Sequence, residues 1–247
     1  MKKNNSLFFF IVVVLFLCGQ TTLYGTTKVR KNTFAKKKKG RTLQSFNSKR
    51  ESVFRKEIVL DNNKNIYLFP EGHSQMINML IQSVENKEID AYTGEDLKER
   101  MTIDILKKNL TVPINIENSY GGKKNKYFTG EEIKKIEIYG KYIKTVDMPQ
   151  PIIKNISVTL IIPAGTADMT IERNVFTLKY NDFINLLERK NICIEKDGSK
   201  ILCSEAFKKI DKYFTYNVTS INNDFLKKTS PAENNKIAER LFKKIKL

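Results

Sequence analysis

Few residues in this 247-residue sequence have the types and spacing that chemistry requires. His73 is the only histidine, so a His-rich zinc site is impossible, and the H-E-x-x-H spacing is absent. It follows the turn Pro70-Glu-Gly72 and reads as a surface loop residue rather than a general base. No G-x-S-x-G, G-x-G-x-x-G or P-loop occurs. The adjacent carboxylates Glu131 and Glu132 are explained by helix capping, and neighbouring helical residues point apart rather than toward one substrate. Carboxylates distant in sequence can still converge, so a glycosidase-like pair stays open without support. The run Tyr213-Phe-Thr-Tyr216 beside Lys208, Lys209 and Lys212 has the aromatic-plus-basic make-up of a base-stacking surface. Packing of a helix end into the core accounts for it better. No catalytic, cofactor-binding or metal-ligating residue is assigned.

Cysteine offers one more chemistry. Cys193 and Cys203 flank Asp197-Gly198 in a stretch that reads as a β-hairpin. A two-residue Asp-Gly turn would pair Cys203 with Ile192 and send the two sulfurs to opposite faces. A three- or five-residue loop centred on Gly198 would bring Cys193 opposite Cys203, within disulfide reach. In an oxidising compartment two cysteines this close pair, so a Cys193–Cys203 disulfide is the expectation. Its role would be structural, since C-x-x-C is absent.

That compartment is set by the N-terminus. Lys2 and Lys3 precede an apolar run from Leu7 to Leu17, too short to span a bilayer and of the right length for a secretory signal. Cleavage after Gly19 or Gly25 leaves a small residue at the cut. A lipidated Cys18 and an uncleaved anchor are the weaker alternatives, the first because Leu17 is large. Residues 1–50 hold 12 basic groups and no acidic one, out of a net charge of +17, leaving only +5 on residues 51–247. A domain so mildly basic argues against a nucleic-acid partner. Residues 26–50 carry ten of those basic groups with no hydrophobic periodicity. They read first as a self-repelling, disordered linker, with contact to anionic headgroups or an organelle transit peptide as alternatives. The sequence thus divides into a signal peptide (1–25), a basic linker (26–50) and one domain (51–247).

Within that domain short strands alternate with short helices, giving an α+β fold with α/β as the alternative. Ile66–Phe69 is a strand candidate. Ser74 caps a helix with Ile77, Leu80, Ile81 and Val84 on its buried face. Ile89–Tyr92 is a strand, and Thr102 caps a helix through Leu110. A lysine-rich loop with Gly121-Gly122 follows. Thr129-Gly-Glu-Glu132 is a capping box that should open a helix burying Ile133 and Ile136. Ile156, Val158, Leu160 and Ile162 alternate with Ser157 and Thr159 in a half-buried strand ended by Pro163. Val175–Tyr180 is a strand, and Phe183, Ile184, Leu186 and Leu187 belong to a helix capped near Asn181 or Asp182. Ser230-Pro-Ala-Glu233 opens a last helix whose apolar positions are Ile237, Leu241 and Ile245.

The chain carries, in order, Val53-Phe-Arg-Lys-Glu-Ile58, Asn65-Ile-Tyr-Leu-Phe-Pro70, Asn86-Lys-Glu-Ile-Asp-Ala-Tyr92 and Ile136-Glu-Ile-Tyr-Gly-Lys-Tyr142. It continues through Leu160-Ile-Ile-Pro-Ala164, Ala206–Phe214, Tyr216-Asn-Val-Thr-Ser220 and a charged C-terminal helix. In these motifs and their order it resembles the GldN/PorN family. The resemblance implies a periplasmic, outer-membrane-associated, non-enzymatic subunit of the type IX secretion and gliding motility machinery, without a cofactor. The implied partners are a GldK/PorK-like outer-membrane lipoprotein, assembled with it into a ring, and a GldM/PorM-like periplasmic motor domain. Residues 28–50 would make any peripheral membrane contact. Two other readings stand beside it. One is an organelle-imported protein with residues 26–50 as transit peptide and sequons at Asn109, Asn155 and Asn217. The other is a secreted hydrolase using a dispersed carboxylate pair, which would need an acidic cleft and a carboxyl of raised pKa.

Overall fold

Three long amphipathic strands build the centre of a mixed layer of sheet and helices. The structure is a computed structural model, and it describes residues 50–113, 127–145, 151–226 and 230–244. The signal segment, the basic linker as far as residue 49, the Gly121-Gly122 loop and Ile245 lie outside the described residues. The described residues belong to one unit, Phe46–Leu247. Strands β1 (Arg50–Val59), β3 (Lys135–Lys144) and β4 (Ile152–Ile162) are flanked by β2 (Ala91–Tyr92), β5 (Arg173–Lys179), β8 (Asn217–Ile221) and β9 (Asp224–Phe225). The order is β2-β5-β4-β3-β1-β8-β9 and every ladder is antiparallel. That makes the fold α+β; the α/β alternative would need parallel crossovers.

Helices α1 (Ser74–Glu85), α2 (Ile103–Leu110), α3 (Tyr180–Arg189), α4 (Cys203–Lys208) and α5 (Ile210–Tyr213) supply the apolar side chains that cover one sheet face. On that face Ile58, Ile136, Ile138, Val158, Leu160, Phe176 and Leu178 are essentially closed to solvent and share one core with Ile77, Leu80, Phe183 and Phe207. Phe207 meets Phe183 edge-on, with centroids 4.9 Å apart, and Phe214 at 4.7 Å. The Tyr180 hydroxyl donates to the Phe207 carbonyl at 2.6 Å, so this aromatic body carries no orphaned phenol. Helix α6 (Pro231–Lys244) lies against β8, with Ala238 joining Val218 and Ile221 in a small second cluster. Among the described residues no helix is long and apolar enough to cross a membrane.

Gly140 on β3 stands opposite Phe54 on β1, and a Cβ there would overlap the Phe54 ring. Glycine lets that ring, 1% exposed, lie flat across the strand. Three bulges bend the ladders, near Ile156, Val175 and Thr219.

Several expectations need correction. Ile66–Leu68 is a 3₁₀ turn, not a strand. The Asn62 side chain accepts from the N–H groups of Lys64 and Asn65, which starts a turn where no neighbouring strand exists to pair. Thr129 and Glu132 bond as a capping box should, with Thr129 N–H donating to Glu132 Oε2 at 2.8 Å, but a strand follows. Residues 135–144 alternate with period two and pair along β1 and β4, which outweighs one helical turn. Ile133 and Ile136 are still buried. Helix α1 begins at Ser74 itself, and α3 starts at Tyr180 directly from β5; neither has a side-chain cap. Thr102 does cap α2, accepting from Ile105 N–H at 3.3 Å. Strand β4 is buried on both faces from Ser157 onward, because Thr159 pairs through its hydroxyl with Thr177 at 2.9 Å. In α6 the buried positions are Asn234 and Ala238, while Ile237 and Leu241 are exposed.

The hairpin β6 (Cys193–Lys196) and β7 (Ser199–Leu202) takes the two-residue turn, with Asp197 (φ 52°) and Gly198 (φ 74°) both left-handed. Cys193 therefore pairs with Leu202, and Cys203 N–H donates to Ile192 O at 2.8 Å. Both thiols are free, Cys193 exposed and Cys203 buried, so the expected disulfide is not formed.

Candidate functional site

The sheet face turned away from the helices carries a lattice of charge. Because β1 and β3 alternate with period two, the residues they do not give to the core fall on this face, among them Arg55 and Glu57 from β1 and Lys135, Glu137, Tyr139 and Lys141 from β3. Cross-strand register sets Arg55 beside Tyr139 and Glu57 directly opposite Glu137. Like charges so placed repel, and the surroundings answer with cations. Lys135 Nζ bonds Glu57 Oε2 at 3.2 Å and pairs also with Glu172. Arg55 Nε bonds Glu95 Oε2 at 2.8 Å and lies 3.9 Å from Glu137 Oε1. Arg55 Nη1 also donates to Ser220 Oγ at 2.9 Å. Lys141 bonds Glu51 at 3.1 Å farther along. Ser157 Oγ donates to the Glu95 carbonyl at 3.0 Å, which brings the loop after β2 onto the sheet.

This lattice has three cations for five carboxylates, and the shortfall lands on Glu137. Burial, reinforced by Glu95, Glu57 and Glu172 and only partly opposed by Arg55, pushes its pKa up to about 7. A carboxyl so raised is what the hydrolase reading needs. Its setting differs from a catalytic cleft: Glu137 is in mid-strand, between Glu57 and Thr159 on a sheet face. It is absent from the lining of five surface cavities of about 370–500 Å³. Among the described residues no group of three or more His, Cys, Asp or Glu is placed to hold a metal.

A second feature pierces the helix-covered side. Lys56, 8% exposed, sends Nζ to Asp211 Oδ1 at 2.8 Å and over the Tyr216 ring at 4.4 Å from its centroid. Burial alone would raise the Asp211 pKa, but the Lys56 bond outweighs it and the net shift is downward. This pins β1 to α5. The run Tyr213–Tyr216 thus serves packing, as expected, with Phe214 in the core and Tyr213 beneath Lys196 and Lys212. Next to it α4 and α5 expose Lys208, Lys209 and Lys212 around a cavity of about 370 Å³ that reaches Ile153 and Asn155 of β4.

The remaining sequence candidates do not converge. Cys193 lines a separate cavity of about 390 Å³ with Phe69, Met76 and Lys200. Cys203 is sealed against Met76 at 3.4 Å, and burial pushes its thiol pKa up. His73 is half-buried at the start of α1; its Nε2 has no hydrogen-bond partner, and burial lowers its pKa. The residues that sequence reasoning missed are Arg55, Glu57, Lys135 and Glu137. Their signal was the charge alternating with Ile136, Ile138 and Tyr142, hidden by reading the preceding box as a helix start.

A family model described as gliding motility associated protein GldN matches residues 49–243. No curated protein matches the chain.

Proposed function

The chain belongs to the GldN family of gliding motility associated proteins, and from that membership we propose that it is a non-enzymatic structural subunit of the type IX secretion and gliding machinery. It acts in the periplasm against the outer membrane, assembling with a GldK/PorK-like lipoprotein into a ring that meets a GldM/PorM-like motor domain. The observation that carries the reading is the family match over residues 49–243, nearly the whole domain. Two features support a scaffolding rather than a catalytic role. Arg55, Glu57, Lys135 and Glu137 on the open face are tied to one another across strands and line none of the cavities of about 370–500 Å³. The sheet's outermost strands, β2 and β9, are each two residues long, which suits a subunit that must not polymerise through its edges.

The test is affinity purification of the tagged chain from native envelopes, with mass spectrometry and size analysis of what accompanies it. A lipoprotein recovered in a particle far larger than the 28.6 kDa chain is the expected result. A monomer in a soluble cytoplasmic fraction would overturn the reading.

A further inference from the structure

One stretch of unpaired strand edge lies between two hollows. Strand β4 pairs with β3 from Ile152 to Ile161, but with β5 only from Ser157 onward. At Lys179 the chain leaves β5 and turns into α3, so among the described residues Ile152–Ile156 has a strand on one side and none on the other. Side chains cover some other edge positions. Asn109 on α2 donates to the Val175 carbonyl at 2.9 Å, and Asn235 on α6 both accepts from Val218 N–H at 3.0 Å and donates to the Tyr216 carbonyl at 3.1 Å. The open stretch also exposes apolar surface: Ile152 is 46% and Ile153 50% exposed.

A hollow lies on each side of this edge. Ile153 and Asn155 line the cavity of about 370 Å³ on the helix side, with Lys208, Lys209 and Lys212. Lys154 and Ile156 line another of about 410 Å³ on the open face, where Lys141, Lys154 and Lys179 outnumber the carboxylates Glu51 and Asp182. An added strand sends alternate side chains to opposite faces. A segment paired to β4 would therefore drop them in turn into the two hollows along about 17 Å of edge. Lys208, Lys209 and Lys141 have carboxylate partners, but Lys154, Lys179 and Lys212 form no ion pair among the described residues. The positive excess falls on both sides of the edge.

The geometry points to residues 152–156 as a strand-addition site for an extended acidic segment of a different protein, one with branched apolar residues among its carboxylates. Charge selects that occupant over the two nearer ones. Residues 26–50 of this chain carry ten basic groups and no acidic one, so its own extension is repelled. A second copy docking edge to edge would bring the Lys154 side chains of the two strands together. The site rests on register and charge and does not depend on the assembly proposed above.

The experiment uses the signal-free full chain with two short synthetic peptides, one alternating glutamate with valine and one alternating lysine with valine. Binding is measured by titration and the footprint by amide hydrogen exchange. The acidic peptide should bind, weaken with added salt and slow exchange at residues 152–156. The K154E/K212E double variant should weaken it by about tenfold or more with an unchanged melting temperature, while Lys107→Glu on α2 leaves it alone. Equal binding of the lysine peptide, a footprint elsewhere or no binding overturns the proposal. So does protection of these amides in the free chain, whether lost on dilution (a second copy) or on deleting residues 26–49 (the extension).

Discussion

Glu137 is where the physics of single residues is most exposed. Its carboxyl is held at about 7, above the ordinary glutamate value of 4.5. In that interval the folded chain keeps a proton that the unfolded chain has released. Stability therefore falls as pH rises from about 4.5 to about 7, and the full penalty is present above. Glu137→Gln should raise stability near pH 8 by about 1 kcal/mol or more, allowing for solvent screening, and leave it unchanged near pH 4. Thermal melts across pH check this, and an equal gain at both ends would show that charge is not the cause. The two thiols make a second case. Cys193 is open and Cys203 is sealed beneath Met76. A maleimide reagent should label one cysteine of the reduced native domain and the second only in denaturant.

At the scale of elements, asparagine side chains stand in for strands. Asn235 supplies β8 with a donor and an acceptor where a neighbouring strand would. Asn235→Ala should cost about 1–3 kcal/mol and speed amide exchange at Val218, because a buried backbone N–H then loses its partner. Gly140→Ala should cost about 1–3 kcal/mol, since the Phe54 ring must shift to admit a methyl group. Equilibrium denaturation reads both. Much of this layer was legible in the sequence: the apolar faces of α1 and α3, the Thr102 cap and the capping box of α6. What misled was local chemistry that suits two outcomes. The bonds between Thr129 and Glu132 form whether a helix or a strand follows, and only pairing with β1 and β4 decides. Asn235 was illegible for a related reason: its partners lie 17 and 19 residues away, and no periodicity encodes them. The charge lattice was half legible, since alternation was present but register was not.

At the scale of the molecule, the architecture suits the proposed scaffold, which must avoid sticking to itself while keeping one place to hold a partner. Short β2 and β9, together with the caps from Asn109 and Asn235, limit the edge through which the sheet could polymerise. Most charges of the open face pair across strands, with Glu137 left short of a cation. A lysine-lined stretch of β4 is left for an acidic strand. The central proposal is that this chain, a member of the GldN family, works as an envelope scaffold in complex with a lipoprotein. Purification of the tagged chain from native envelopes tests that most directly. A stoichiometric outer-membrane lipoprotein in a ring-sized particle is the expected result, and a partnerless monomer would contradict it.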